Sequence, residues 1–109
     1  MVRSSILASV IMVGVAGFSQ AQDSTSKGQQ LFVDQKCSLC HSIAGKGNAK
    51  GPLNDVGSKL TPAEIRAWIT DAQAMTAKMK TTRTPAMKQY TLPKEDIDAL
   101  VAYLSTLKK

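Results

Sequence analysis

Apolar positions along this chain recur with the three-to-four spacing of helices rather than the alternation of strands. Ile6 to Phe18 is an almost unbroken apolar run, followed by a polar stretch over 22–27 that reads as a mobile leader. Ser26 to Lys36, with Leu31 and Phe32 as its apolar positions, predicts a first helix that delivers Cys37 at its C-terminal end. Residues 42–60 contain Gly45, Gly47, Gly51, Pro52 and Gly57 without a sustained period, which predicts a loop. Thr61-Pro62-Ala63-Glu64 is a capping box with proline at the first helical position, the start of a second helix. Ile65, Trp68, Ile69, Ala72 and Met75 form its apolar stripe. Residues 76–92 are basic, irregular and interrupted at Pro85. A last helix is expected from about Pro93, with Glu95 and Asp96 in the first turn, where negative charge suits the helix dipole. Its apolar face is Ile97, Leu100, Val101, Leu104 and Leu107, and it closes on Lys108 and Lys109. No segment alternates with period two for long enough to form a strand, so the expected class is all-α with three to four helices.

The N-terminus changes this picture by shortening the folding unit. Arg3 supplies a positive start, the apolar run is short for a membrane span, and Ser19 and Ala21 place small residues at the −3 and −1 positions of a cleavage site. A signal peptide over 1–21, cleaved after Ala21, is therefore expected, with an uncleaved anchor as the alternative. Export to the periplasm follows, and no cysteine follows the run to take a lipid. Residues 22–109 would then form one domain, small enough to need a staple beyond its own apolar core. The formal charge is +6, and Arg3 is the only charge that cleavage removes.

The candidate chemistry is concentrated in five residues, Cys37-Ser38-Leu39-Cys40-His41, which hold both cysteines and the single histidine of the chain. C-x-x-C-H is the attachment signature of a c-type haem. Two thiols three apart on a helical turn reach neighbouring edges of one macrocycle, and the next side chain becomes the proximal iron ligand. A thioredoxin-like dithiol would share the C-x-x-C but needs a βαβ pattern that is not visible here. Zinc needs about four N or S ligands, and none remain after these three. A structural disulfide stays conceivable, with the adjacent histidine then a coincidence.

Beyond that pentapeptide, the chain from residue 22 onward resembles the small monohaem class I cytochromes c. Gly28 and Phe32 match the family's N-terminal helix, Leu100-Val101-Ala102-Tyr103-Leu104 its C-terminal helix, and Gly51-Pro52-Leu53 the loop after the haem site. The resemblance implies that the two terminal helices cross at the glycine, with the helices wrapped round one covalent haem. It also implies that the Pro52 carbonyl accepts a hydrogen bond from His41, and that a methionine is the distal ligand. No second histidine is present, and Met75, Met79 and Met87 are the candidates outside the signal. Met75 continues a helical stripe, and Met79 lies between Lys78 and Lys80. Met87 follows Pro85 and lies sixteen residues before Tyr103, close to the family's spacing, so it is the first choice and Met79 the second. Trp68 reads as a core aromatic whose place is also similar to that of the family's distal-side aromatic. No counterpart of the family's propionate-binding tryptophan is identifiable.

What the resemblance implies for function is a single-electron carrier, not an enzyme in itself, working free or as the electron-transfer subunit of a larger system. Lys78, Lys80, Arg83 and Lys88 bracket the Met87 segment. They are a solvated face or a ring that steers acidic redox partners to the haem edge. Nucleic-acid binding is disfavoured by export and by the lack of interleaved aromatics. The mature chain is expected to be a monomer that does not insert into membranes. Two rivals stand: a five-coordinate c-type haem protein that binds gases or peroxide, and a haem-free thiol–disulfide protein.

Overall fold

The structure, a computed structural model, describes residues 20–108. The expected signal peptide lies outside the described residues except for Gln20 and Ala21. Among the described residues five helices carry the fold: α1 (Gln20–Asp34), α2 (Val56–Lys59), α3 (Pro62–Thr70), α4 (Ala72–Met79) and α5 (Lys94–Ser105). Between α1 and α2 lie a single 3-10 turn, Cys37–Leu39, and the two-residue antiparallel strands β1 (Ser42–Ile43) and β2 (Lys46–Gly47).

The terminal helices form the spine. Gly28 sits where any side chain would strike the Ala99 carbonyl and Tyr103 Cβ, so α1 approaches α5 to backbone contact. Phe32 then meets Tyr103 edge to face, with ring centres 6.4 Å apart. Lys27 pairs with Asp96 at 3.0 Å across the same interface. Residues 22–27 are thus part of α1 rather than a mobile leader, because this packing extends the helix N-terminally.

α3 packs on the other side of α5. Its start is the expected capping box, with Thr61 Oγ1 accepting from the Glu64 N–H and the Glu64 carboxylate accepting from the Thr61 N–H. Asp98 receives both Arg66 from α3 and Lys94 from its own helix. The expected single second helix is broken at Asp71, whose backbone leaves the helical region (φ −143°, ψ 50°) while its carbonyl accepts the Met75 N–H of α4. The apolar stripe survives the break, since Ile65, Ile69, Ala72 and Met75 are all buried. The core is Phe32, Val56, Ile65, Ile69 and the inner face of α5, Ile97 to Leu104.

Candidate functional site

α1 ends before the cysteines rather than at them. Lys36 adopts left-handed backbone (φ 58°), which turns the chain away from the α1 axis at a cost of about 1 kcal/mol for a residue with a Cβ. The chain then winds up again immediately. The Cys40 and His41 N–H groups both donate to the Cys37 carbonyl, at 3.1 and 2.9 Å. That turn presents the two thiols and the imidazole together. Asn48 holds it from below: its N–H donates to the Ser38 and His41 carbonyls and its side-chain amide to the Leu39 carbonyl, each at 3.1 Å.

His41 is aimed by the segment 51–53. Ser42 N–H donates to the Gly51 carbonyl at 3.0 Å and Leu53 N–H to the Ser42 carbonyl at 2.8 Å. This short parallel bridge brings the Gly51 carbonyl within 3.1 Å of His41 Nδ1, which donates to it. The acceptor expected from the resemblance was Pro52. The bridge register puts Gly51 there instead, one residue earlier, and the consequence is the same: Nδ1 carries the proton and Nε2 is free to ligate. Burial, the larger influence, pushes the imidazole pKa below its ordinary value, the Gly51 bond opposes this, and the Arg83 cation adds to the lowering. A neutral imidazole is the form that binds iron.

These residues open onto a cavity of about 250 Å³ within the core. Phe32, Val56, Ile65, Ile69, Leu100 and Leu104 line it as well as forming the core, so the core opens onto a mainly apolar cavity that reaches solvent. Cys37, Cys40, His41, Trp68 and Met87 all line it. Met75 does not. It is 7% exposed, packed under α4 as its stripe predicts. Met79 does not either, and it is 50% exposed. Lys78, Lys80 and Lys88 are exposed outside the cavity, with Lys88 over the Tyr90 ring at 5.2 Å from its centre, whereas Arg83 reaches the lining.

The chemistry of the donor set fits a thioether-linked haem. Both cysteines are free thiols, half-buried. Burial raises the Cys37 pKa, the reverse of what thiol–disulfide chemistry requires. Among the described residues no three His, Cys, Asp or Glu side chains converge to hold a bare metal ion. What remains is a largely apolar hollow with two thiols and one free imidazole nitrogen at its wall. Cys37, Cys40 and His41 would hold a haem there, and the apolar core residues would cover its faces.

Three contributors escaped the sequence reading. Asn48 is a loop polar residue whose only signal is its place among glycines. Tyr90 donates its backbone N–H to the Ile69 carbonyl at 2.9 Å, and its hydroxyl reaches the Gln35 carbonyl at 3.4 Å beside the Cys37 sulfur. It thereby clasps the Met87 segment to both α3 and the cysteine turn. Arg83 stands in the sequence as one of the cations bracketing Met87, a solvated face or a docking ring, and the structure brings it to the cavity wall.

Helices packed round an open apolar hollow, with C-x-x-C-H at its wall, are the arrangement of a small c-type haem protein. The family model for Cytochrome c matches residues 25–108, and the chain belongs to that family. It is accordingly a haem-based electron-transfer protein of all-α fold. It is similar to "Cytochrome c oxidase subunit 2" of Alkalihalophilus pseudofirmus, at 32% identity over 92 residues, covering 76% of this chain. The chain spans 25% of that relative's length. No solved structure matches it. Among the described residues no helix is long and apolar enough to cross a membrane.

Proposed function

We propose that this chain is an exported, monohaem electron carrier whose haem is tethered by Cys37 and Cys40 and held between His41 and Met87. The bound haem supplies a one-electron Fe(II)/Fe(III) couple. The protein's own part is to exclude water with its apolar walls, fix the His41 tautomer through Gly51, and hold a soft thioether at the distal position. The observation that carries this reading is the placement of the three methionines: Met87 lines the cavity, Met75 is packed away from it, and Met79 faces solvent.

The cations around the Met87 segment support a docking role for it, with Lys36, Lys46 and Lys50 likewise outside any ion pair with a described residue. Lys27, Lys59, Arg66 and Lys94 each pair with a carboxylate on the helical body. Lys80 and Lys88 have no carboxylate partner among the described residues, and Lys78 lends only a weak field to Glu64. Unpaired cations beside the cavity suit a partner with an acidic face, and the relative's name makes a cytochrome c oxidase one such acceptor. Charge reversal at Lys78, Lys80 and Lys88 is expected to slow electron transfer to an acidic partner and flatten its salt dependence without moving the potential. Unchanged rates would make these lysines a solvated face.

The ligation test is spectroscopic. In holoprotein matured in an export compartment, Met87→Ala should lose the ferric sulfur-to-iron charge-transfer band and lower the potential, because thioether sulfur favours ferrous iron. Met75→Ala and Met79→Ala should keep the band. Its loss in Met79→Ala alone would overturn the assignment, and a high-spin ferric spectrum in the unmodified protein would favour the five-coordinate alternative.

A further inference from the structure

The cavity that takes an apolar macrocycle has one charged residue in its wall. Of the side chains that line it, Arg83 is the one that is permanently charged. The three lysines of the same segment stay outside. The guanidinium of Arg83 lies directly against Gly51: a side chain at 51 would run into it, the Cys40 carbonyl and the His41 ring. The space left by that glycine is the space the guanidinium occupies. Arg83 forms no ion pair with any described residue.

Arg83 is exposed as well as lining the cavity, so its guanidinium stands where the apolar hollow meets solvent, with no described anion beside it. A haem brings one. Its ring is apolar, and its two propionates are the carboxylates that must leave through the mouth of the cavity. A planar guanidinium matches a carboxylate with two parallel N–H donors, which a lysine does not.

We infer that Arg83 is a haem-propionate anchor, placed by Gly51, and that by standing four residues before Met87 it latches the distal segment onto the cofactor it ligates. This rests on the haem reading above and goes beyond it, because it removes Arg83 from the docking ring and gives it a ligand. The segment 83–87 then holds the haem at two points, the propionate and the distal position.

The test uses holoprotein carrying isotope-labelled propionate carboxyls, comparing Arg83→Gln and Arg83→Lys with Lys80→Gln, which removes the same charge from the same segment. Arg83→Gln should shift the labelled carboxylate stretch in the infrared and tighten binding of added imidazole, which competes with Met87, by about fivefold, the scale of one partly exposed charge pair. Arg83→Lys should restore imidazole resistance in part, and Lys80→Gln should change neither signal. An unmoved carboxylate band in Arg83→Gln overturns the inference whether or not imidazole affinity changes, as does an equal shift in Lys80→Gln. Absence of a Soret band in the unmodified protein would instead remove the haem reading itself, so the two failures are distinct.

Discussion

A single carbonyl decides how the site works at the scale of residues. Gly51 accepts from both the Ser42 N–H and His41 Nδ1, so one oxygen couples the backbone bridge to the orientation of the imidazole. A methyl group at position 51 would sit 2.9 Å from Nδ1 and closer still to the Cys40 carbonyl and the Arg83 guanidinium. Gly51→Ala should therefore displace the acceptor, weaken the hydrogen bond that supports ligand basicity, and destabilise the holoprotein by about 1–3 kcal/mol. The imidazole loses affinity for the proton as well as for the iron, so the readout is redox rather than acid release. A weaker donor supports ferric iron less, and the reduction potential of the holoprotein, followed by the Soret band in a redox titration, should rise. If neither that potential nor the urea midpoint moves, the glycine has no steric role. At this scale the sequence was legible wherever chemistry is local. The adjacency of Cys37, Cys40 and His41 puts all three at one cavity wall, and Met87, chosen by the spacing of the resembled family, lines the same cavity. Gly51 as acceptor was misread as Pro52, because a one-residue register in a parallel bridge depends on the fold and leaves no trace in composition.

Helical elements were readable in proportion to how far their determinants are local. The Thr61 capping box and the Pro93 start of α5 appear where the sequence places them, since caps act within a single turn. The N-terminal extent of α1 was not readable, because Lys27 and its neighbours are held helical by α5, sixty-nine positions away at Asp96. The loop expected over 42–60 contains β1, β2 and α2, elements of two to four residues that are shorter than any periodicity can reveal. Gly28 was legible as a close approach through the family resemblance, and the structure identifies what approaches it. In Gly28→Ala the methyl group would meet the Ala99 carbonyl and Tyr103 Cβ, forcing α1 and α5 apart. Alanine's better helix propensity returns at most about 1 kcal/mol, against an overpacking cost of about 1–3 kcal/mol. A net fall in the urea midpoint with an unchanged m-value is the expected outcome. A rise would mean that the helices slide apart freely and that the Phe32–Tyr103 contact alone holds them.

The molecule as a whole is built round a space that no pattern of residues announces. Apolar periodicity marks which faces turn inward but not whether they close up fully, and here the core residues pack together on one side while lining an open cavity of about 250 Å³ on the other. Apolar walls left facing water contribute nothing to burial, and a domain this small has little stability to spare, so the surface that a haem would cover is surface the empty chain cannot use. Folding and haem binding should then be one event. The double substitution Cys37→Ala with Cys40→Ala deletes only two half-buried sulfurs, a small direct loss, yet it should leave the chain largely unfolded when no haem is attached. The same chain with both cysteines intact but produced without haem attachment should behave identically, which separates the missing cofactor from the missing side chains. Circular dichroism during heating is the measurement. A cooperative, haem-free melting transition in either preparation would show that the helices collapse into the hollow and fold without the cofactor, and the cavity would then be a property of the bound state rather than the reason the protein needs its haem.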